Sequence, residues 1–276
     1  MDRTATTTRS ADQVVDDLSR VIQPYGRILT AYSGGVDSTL VAAVGRQVLG
    51  RGNAPAAIAD SASLPRRELE EARQIAAQLD LELIEVAGTE QADDGYQAND
   101  ADRCYHCKSH LYDQLHRLAA ELDIGHIANG TNTDDPGDHR PGLIAAEQNR
   151  IVSPLLAAQL GKADVRLAAR HLSLPNHDKP AAACLASRLP YGLRVTPERL
   201  SRVEQAEAVL YELGFAGFRV RHHETVARIE LPVDQMPRML DDAVRQQVIA
   251  GLTKLGYTYV TLDLAGFRSG SSNEAL

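Results

Sequence analysis

An apolar run, Ile28 to Tyr32, is followed at once by Ser33-Gly34-Gly35-Val36-Asp37-Ser38 and then by a helical apolar pattern. A glycine loop therefore lies where a predicted strand turns into a helix. Two adjacent glycines let the backbone bend so that several N–H groups converge on one anion, and the helix N-terminus adds the positive end of its dipole. Ser33 and Ser38 add hydroxyl donors. This pattern predicts a phosphate site.

The loop differs from the two commonest nucleotide loops. It lacks the Gly-Lys-Ser/Thr ending of a Walker loop and the spaced glycines of a dinucleotide fingerprint, so we expect it to hold a pyrophosphate differently. The plain alternative is a tight turn with an Asp or Ser helix cap. The six residues together resemble the pyrophosphate loop of the ATP-pyrophosphatase superfamily, whose members adenylate an oxygen and release pyrophosphate.

The composition predicts a cytoplasmic protein with a small-molecule substrate. The net charge of −8 argues against a basic surface for nucleic acid or an anionic membrane. No stretch approaches the length of a membrane span, and the first ten residues are polar rather than an apolar signal core. Three cysteines are too few and odd in number for a disulfide framework, so each must be judged as core, ligand or nucleophile.

Strand-like and helical segments alternate along the first two thirds of the chain, as in a doubly wound parallel sheet. The predicted strands are Ile28 to Tyr32, Ala56 to Ala59, Glu82 to Val86 and Ile124 to Ala128; the predicted helices are Ala11 to Ile22, Ser38 to Leu49, Pro65 to Leu79, Cys107 to Leu122 and Lys162 to Leu172. A ligand belongs at the carboxyl ends of such strands. Three polar segments lie there: Ser33 to Ser38, Asp60-Ser61, and Asn129-Gly130-Thr131-Asn132.

The pattern changes after a long loop, Pro175 to Val195, of a length that is usually functional. Thr196-Pro197-Glu198 is a good start for a helix to Leu213. Strands are predicted at Phe218 to His222, Thr225 to Leu231 and Tyr257 to Leu264, with a helix at Gln235 to Leu255. We therefore predict an α/β nucleotide domain, residues 1–190, and a smaller C-terminal α+β domain, residues 197–276, that ends in a loose tail from Ser269.

The cysteines leave several interpretations open. Cys104 and Cys107 form a CxxC pair, which suits a metal or redox centre, two half-buried thiols or a redox disulfide. Cys184 is either a core residue or a functional thiol on a loop with the cations Lys179 and Arg188. Zinc would need a fourth ligand, from His106 or His110, whereas an iron–sulfur cubane on three thiolates leaves one iron open to a ligand such as hydrosulfide.

Seven segments resemble the LarE family of ATP-dependent sulfur transferases, over roughly Gln13 to Leu264. They are Ser33–Ser38, Asp60–Pro65, Arg103–Lys108, Asn129–Asp135, Asp138–Gly142, Lys179–Arg188 and Arg219–His223. The resemblance implies the adenine-nucleotide α-hydrolase, or PP-loop, type of fold. It also implies adenylation of a carboxylate of pyridinium-3,5-biscarboxylic acid mononucleotide, attack by sulfur and release of AMP, in the biosynthesis of the nickel-pincer nucleotide of lactate racemase.

The resemblance further implies the cofactors ATP, Mg²⁺ and a [4Fe-4S] cluster. Family members with a single cysteine at the position of Cys184 sacrifice its sulfur. Members with three cysteines hold a cluster, whose open iron carries the transferred sulfide. Since Cys104, Cys107 and Cys184 are all present, the chain is expected to be of the cluster type, with an external sulfide donor. A hexamer is expected from the family.

Site roles follow from the motifs and the resemblance together. We expect ATP and its pyrophosphate at Ser33, Gly34, Gly35, Asp37, Ser38, Asp60, Ser61, Asn129, Gly130 and Thr131, with Asp37 orienting the loop or holding Mg²⁺. Ser187 and Arg188 are expected beside Cys184 at the reacting group, although an ion pair that fixes the loop is the plain alternative for Arg188. Arg219 and Arg221 alternate on one strand face, which suits either a shared anion or a solvated face. The resemblance implies that they bind the substrate's phosphate. His222 and His223 are interpreted as surface residues.

Three other functions remain open. A PP-loop enzyme that thiolates tRNA would show salt-sensitive RNA binding. An amide-forming synthetase that uses ammonia would need none of the cysteines. A nucleotide-binding regulatory module would release no pyrophosphate with any carboxylate.

Overall fold

The computed structural model of the chain describes residues 9–135, 141–180 and 183–268. The predicted loose tail and parts of two quoted motifs, residues 138–140 and 181–182, lie outside these ranges. Within them, no helix is both long enough and apolar enough to cross a membrane.

Strands and helices alternate along the described chain. The strands are β1 Leu29–Ala31, β2 Ala56–Asp60, β3 Leu83–Ala87, β4 Ile127–Ala128, β5 Arg219–His223, β6 Val226–Glu230 and β7 Tyr259–Leu262. The helices are α1 Ala11–Ile22, α2 Val36–Leu49, α3 Arg66–Gln78, α4 Asp94–Ala98, α5 Arg103–Glu121, α6 Pro141–Gln148, α7 Pro154–Ala157, α8 Lys162–His171, α9 Pro197–Glu212, α10 Met236–Met239 and α11 Asp242–Lys254. Short 3₁₀ turns occupy Gln23–Tyr25, Arg51–Asn53, Glu90–Ala92, Leu185–Arg188 and Val233–Gln235.

The described chain forms two compact units. The first contains the described residues up to Ser61, Arg66–Thr89, and those from Cys104 to residue 180. The second contains Ala62–Pro65, Glu90–Arg103 and the described residues from Ala183 onward. The segment that carries Cys184 thus groups with the C-terminal sheet, because Arg188 bonds to Glu207 and Arg221 donates to the Ser187 carbonyl.

The first unit is built on a parallel sheet with the strand order β3-β2-β1-β4. Thr30 of β1 lies opposite Ala56 of β2 on one side and Ala128 of β4 on the other. The chain therefore proceeds from β1 outward to β3 and then returns to the other side of β1. This arrangement confirms the predicted doubly wound α/β fold and creates a switch point between β1 and β4.

Helix α1 shows how the sequence specifies a helix that packs against α2 and α8. Ser10 accepts a hydrogen bond from the Gln13 N–H, and the Gln13 side chain accepts one from the Ser10 N–H, so a capping box starts the helix. Val14, Leu18 and Ile22 are completely buried on one face. Burying each such side chain contributes about 1.5–3 kcal/mol. The predicted bounds and apolar face of this helix are confirmed.

Helix α5 begins earlier than predicted. The predicted start is Cys107, whereas the helix begins at Arg103, so Cys104 and Cys107 both lie in its first turns. The prediction was too late because the first residues carry no apolar periodicity. Three short helices, α4, α6 and α7, were not predicted, since each is too short to show a period.

The second unit contains a three-stranded sheet with the order β5-β6-β7. Strands β5 and β6 form an antiparallel hairpin, and β7 is parallel to β6. Thr196 caps α9 by accepting a hydrogen bond from the Arg199 N–H. The core of this unit includes Phe215, Phe218 and Tyr257.

The helix predicted over Gln235 to Leu255 is interrupted. Helix α10 ends at Met239, and α11 begins after Asp241. The Asp241 carboxylate accepts hydrogen bonds from the N–H groups of Ala243 and Val244, which makes it an N-cap. The prediction was wrong here because apolar spacing continued across a capping residue.

Candidate functional site

The predicted phosphate loop joins β1 to α2. Gly34 has a φ of +71°, and a Cβ added there would lie 2.8 Å from the Ala72 Cβ, so only glycine fits this bend. Gly35 is the N-cap of α2 and has extended backbone angles. Helix α2 starts at Val36, directly after the two glycines. The N–H groups of its first turn have no partner within the helix, so they are available to the loop.

The two serines of the loop hold its ends together. The Ser33 N–H donates to Ser38 Oγ over 3.1 Å, and the two hydroxyl oxygens are 3.0 Å apart. Ser33 is exposed, whereas Ser38 is buried. The loop is thus closed by its own hydroxyls, with Ser33 on the accessible side.

The loop after β4 comes very close to the start of α2. A Cβ added to Gly130 would lie 2.7 Å from the backbone nitrogen of Ser38 and 3.0 Å from the carbonyl carbon of Asp37. Asn129 is buried, and its Oδ1 accepts hydrogen bonds from the Thr131 N–H and the Ser153 hydroxyl. The first unit therefore brings two predicted segments together at the switch point, where ligands bind in open α/β sheets.

Asp37 links these two loops. Asn132 Nδ2 donates to Asp37 Oδ1 over 3.0 Å. Burial raises the pKa of the Asp37 carboxyl above its usual 3.8; the Asn132 hydrogen bond opposes this shift, and the nearby Asp135 adds to it. Because burial and the charge of Asp135 both disfavour the ionised form of Asp37, a bound cation would stabilise it. Carboxylate oxygens are suitable ligands for a hard cation such as Mg²⁺.

Asp60 and Ser61 end the neighbouring strand, β2, as predicted. Arg66, at the start of α3, donates to Asp60 Oδ1 and, over 2.5 Å, to the Ser61 carbonyl. Asp60 is exposed and Ser61 is buried. Arg66 fixes this strand end, a role that no sequence motif indicated.

Asn176 is a further residue of the site that the sequence motifs did not indicate. Its side chain is buried, and its Nδ2 donates to the Gly34 carbonyl and to Thr39 Oγ1, each over 2.9 Å. A lone asparagine 142 residues away from Gly34 in sequence carries no local signal.

The three cysteines, all within the described ranges, are outside disulfide bonds. Cys104 is exposed, and Cys107 and Cys184 are partly exposed. Cys104 and Cys107 are three residues apart on α5 and so share a helix face; both belong to the first unit, whereas Cys184 belongs to the second. Among the described residues, no group of three or more His, Cys, Asp or Glu side chains is placed to hold a metal ion. The cluster stays a prediction.

Lys179 was expected to favour the Cys184 thiolate as a cation on the same loop. Its ammonium group instead lies 2.7 Å from Glu68 Oε2 and 3.1 Å from Glu71 Oε2 on α3. The charge of Lys179 is therefore neutralised by two carboxylates within the first unit, and its contact fixes the segment that leaves α8.

Arg188 forms the ion pair that the sequence left open as the alternative. Its guanidinium makes a bidentate contact with Glu207 at 3.0 and 3.1 Å, and the side chains are 4% and 5% exposed. The same guanidinium donates to the carbonyl oxygens of Ala183 and Cys184. Arg188 thus holds the backbone at Cys184 in place, and the Ser187 hydroxyl donates to the Cys184 carbonyl as well.

Arg219 and Arg221 lie on β5, with Arg188 close by. Arg221 pairs with Glu230 at 2.7 Å and donates to the Ser187 carbonyl at 2.8 Å. Arg219 stacks on Phe267, with 4.9 Å to the ring centroid, and forms no ion pair with a described carboxylate. Burial lowers the pKa of Arg219, and the charges of Arg188 and Arg221 lower it further. Glu207 and Glu230 balance the charges of Arg188 and Arg221, and the charge of Arg219 has no paired carboxylate among the described residues. The cluster therefore has a net positive charge, which suits an anion.

His222 is not the surface residue that the sequence suggested. It is 1% exposed, and its Nδ1 lies 3.0 Å from the Tyr257 hydroxyl. Burial, followed by the charges of Arg202, Arg199 and His223, lowers the pKa of His222 from 6.5 to about 4. It is a neutral core residue of the second unit at neutral pH.

The parallel sheet and the loop at its switch point define an α/β protein of the PP-loop class. The NAD synthase family model matches residues 12–104, which contain β1, the loop and α2. The match thus covers the glycine loop and the strands β1, β2 and β3.

Relatives extend the similarity over nearly the whole chain. The chain is 38% identical to the pyridinium-3,5-bisthiocarboxylic acid mononucleotide synthase of Lactiplantibacillus plantarum, over 91% of this chain and 90% of the relative. It is 43% identical to an uncharacterized protein of Synechocystis, over 95% of this chain and 97% of the relative. It is 26% identical to an uncharacterized protein of Methanocaldococcus jannaschii, over 88% and 91%. The chain belongs to the LarE family, that of the Lactiplantibacillus synthase.

Proposed function

We propose that the protein is an ATP-dependent sulfur transferase that converts a carboxylate of pyridinium-3,5-biscarboxylic acid mononucleotide into a thiocarboxylate, in nickel-pincer nucleotide biosynthesis. The observation that carries the proposal is the similarity over nine tenths of the chain to a synthase of the bisthiocarboxylic mononucleotide. The two loops that meet at Gly130 and Ser38 support it, because they offer a site for the pyrophosphate of ATP.

The first step uses ATP. A substrate carboxylate oxygen attacks the α-phosphorus, the bond from that phosphorus to the bridging oxygen breaks, and pyrophosphate leaves. Ser33, Gly35 and the first turn of α2 hold the pyrophosphate, and Asp37 helps to hold Mg²⁺ on it. Asp60, Ser61, Asn129 and Thr131 lie at the ends of neighbouring strands, where we place the adenosine.

The second step transfers sulfur. Hydrosulfide attacks the carbonyl carbon of the acyl adenylate, the bond to the AMP oxygen breaks, and AMP leaves with the electron pair. Ser187 and Arg188 lie beside Cys184, so we assign them to the reacting group. Arg188 acts chiefly by positioning, because its guanidinium is bonded to Glu207 and to the Cys184 carbonyl.

The substrate's phosphate is assigned to the cluster of Arg188, Arg219 and Arg221. Only two of these guanidiniums are paired with a described carboxylate, so the cluster keeps one positive charge for a ligand. Arg219 is the group with a guanidinium available for a new partner, since its described contacts are a carbonyl oxygen and an aromatic ring.

Cys104, Cys107 and Cys184 are proposed to hold a [4Fe-4S] cluster with sulfide from an external donor. The donor set fits in chemistry: three thiols outside disulfides, each at least partly accessible, with two on one helix face. When bound, such a cluster supplies an open iron on which sulfide can be carried. The proposal requires Cys184 to bind the same cluster as Cys104 and Cys107 on α5.

The adenylation step is tested by pyrophosphate release from Mg-ATP in the presence of pyridinium-3,5-biscarboxylic acid mononucleotide. We expect release that depends on this substrate, with thiocarboxylate formed when sulfide is added. Formation of an amide when ammonia is added, with turnover unchanged after all three cysteines are replaced by alanine, would identify an amide-forming synthetase. Salt-sensitive tRNA binding would favour a tRNA thiolase instead.

The sulfur source is tested by anaerobic reconstitution with iron and sulfide. A cluster enzyme gains a brown chromophore with about four irons per chain, and Cys104→Ser and Cys107→Ser each lose it. A chain that gains no chromophore, yet thiolates its substrate once and loses the mass of H₂S at Cys184, uses the sacrificial route.

We also propose that the protein is a cytoplasmic homo-oligomer, a hexamer as expected from the family. Size-exclusion chromatography with light scattering tests the oligomeric state.

A further inference from the structure

We infer that Asn176 is a positioning residue for the pyrophosphate loop. It holds the Gly34 carbonyl, and so sets the direction of the loop's backbone N–H groups. This inference rests on the proposed function, because it gives the loop a pyrophosphate to bind. Asn176 belongs to none of the motifs that identify the loop.

The first ground is the use that Asn176 makes of its amide. Both hydrogens of Nδ2 are committed, one to the Gly34 carbonyl and one to Thr39 Oγ1, each over 2.9 Å. The side chain is 3% exposed, and its Oδ1 is buried with no hydrogen-bond partner among the described residues. A buried acceptor without a partner is costly and calls for an explanation. The Asn176 Oδ1 thus lacks a described partner while Nδ2 donates one hydrogen bond to the loop and one to the first turn of α2.

The second ground is the peptide that Asn176 holds. In a trans peptide the C=O of Gly34 and the N–H of Gly35 point in opposite directions. Because the carbonyl is held by the buried Asn176, the Gly35 N–H is directed to the other side of the loop, where its contact is the exposed Ser33 hydroxyl at 3.3 Å. This contact is long, so an anion can replace it.

The third ground is that Asn176 also holds the first turn of α2. Thr39, its second acceptor, donates from Oγ1 to the Gly35 carbonyl over 2.9 Å. One amide therefore braces both the bend at Gly34 and the N-terminus of the helix. Gly34 has a positive φ, and a peptide next to such a residue can rotate when its carbonyl is not held.

The test compares Asn176→Leu and Asn176→Ser with wild type and with Asn149→Leu. Asn149 is a matched control, because its Nδ2 also donates to a backbone carbonyl, that of Ala145, over 2.8 Å, in the same compact unit and away from the loop. Calorimetric titration with Mg-pyrophosphate and Mg-ATP gives the dissociation constants, and circular dichroism shows which variants fold.

We expect both Asn176 variants to bind the two ligands about tenfold more weakly, which is the effect of losing one good hydrogen bond to a charged group. The rate of pyrophosphate release at saturating ATP should change less than the KM for ATP. Asn149→Leu should bind as wild type does, even where its unfolding midpoint falls.

Equal affinities in wild type and the Asn176 variants would overturn the positioning role and leave the proposed function standing. Failure of both variants to fold would overturn it too, because Asn176 would then hold the whole unit rather than the loop. A wild-type protein that binds neither ligand contradicts the proposed function itself.

Discussion

Asn132 donates a hydrogen bond to Asp37 over 3.0 Å and thereby joins two loops that are 95 residues apart in sequence. The loops follow β1 and β4, the two strands at which the chain changes direction across the sheet. Their contact sets how far the start of α2 lies from the Asn129–Gly130 turn. One side-chain hydrogen bond and one glycine thus bring the two loops of the proposed nucleotide site together.

Asp37→Asn should stabilise the fold and weaken the activity. Burial raises the pKa of Asp37 above 3.8, so the folded state prefers the protonated carboxyl. The stability that this group contributes is complete below its usual pKa and is lost as the pH rises through the raised pKa. At pH 7 the neutral amide should therefore unfold at a higher urea concentration than wild type, and the gain should disappear toward pH 3.

The activity should change in the opposite direction, because an amide holds Mg²⁺ less well. We expect kcat/KM for pyrophosphate release to fall about 10- to 100-fold, the usual loss when a group that supports a metal is changed. Asp123→Asn, at a fully exposed carboxylate, is the control and should leave both quantities unchanged. A less stable or fully active Asp37→Asn would contradict these roles for the carboxylate.

Gly130→Ala should damage the proposed nucleotide site. The new methyl group would lie 2.7 Å from the Ser38 nitrogen, so the loop must move away from the start of α2, at a cost of about 1–3 kcal/mol. Urea unfolding and pyrophosphate binding should both weaken.

The control for Gly130 is Gly125→Ala, just before β4. A Cβ at Gly125 would meet nothing within 4 Å, and its φ is not in the positive range. Its unfolding free energy should stay within about 0.5 kcal/mol of wild type. Equal effects at the two glycines would show that the close approach at Gly130 does not matter.

Glu207→Ala should be among the most destabilising single changes in the second unit. It leaves the Arg188 guanidinium buried without its carboxylate and removes an acceptor from the Val220 N–H. Breaking such a pair costs about 3–5 kcal/mol. Glu85→Ala, which breaks the partly exposed pair with Arg73, should cost less than about 1 kcal/mol.

The same change should also disturb Cys184, since Arg188 holds its carbonyl. The rate at which Cys184 reacts with an alkylating agent, measured under native conditions, should increase in Glu207→Ala and stay unchanged in Glu85→Ala. An unchanged rate would mean that Arg188 holds the loop without help from Glu207.

His222 should make the second unit sensitive to mild acid. Its pKa falls from 6.5 to about 4 in the folded state, so the unfolded state binds the proton more tightly between these values. The stability due to neutral His222 is present above pH 6.5 and is lost as the pH falls toward 4. His222→Phe should flatten the loss of stability between pH 7 and pH 5, measured by urea unfolding. A slope as steep as in wild type would rule out His222 as its source.

Local sequence patterns were enough to predict the elements that have a regular apolar spacing or a capping residue. The apolar face of α1, the glycine loop after β1 and the Thr196 cap of α9 are all encoded within a few residues. Strand ends such as Asp60-Ser61 could also be placed, because the carboxyl ends of parallel strands lie on one edge. The patterns failed to predict the start of α5, where the residues show no apolar spacing. They also failed at Asp241, a capping residue that interrupts a helix although the apolar spacing continues across it.

The sequence by itself determined the family and the groups that the proposed site can use: the glycine loop, the thiols and the polar strand ends. Only the tertiary structure decided which groups meet: Asn176 under Gly34, Gly130 against Ser38, and Lys179 beside Glu68 and Glu71. It also decided that Arg188 is paired with Glu207 and that His222 is buried. The physical reason is that a motif records what a side chain can do, whereas its partner, burial and pKa depend on residues that are brought near by folding and are distant along the chain.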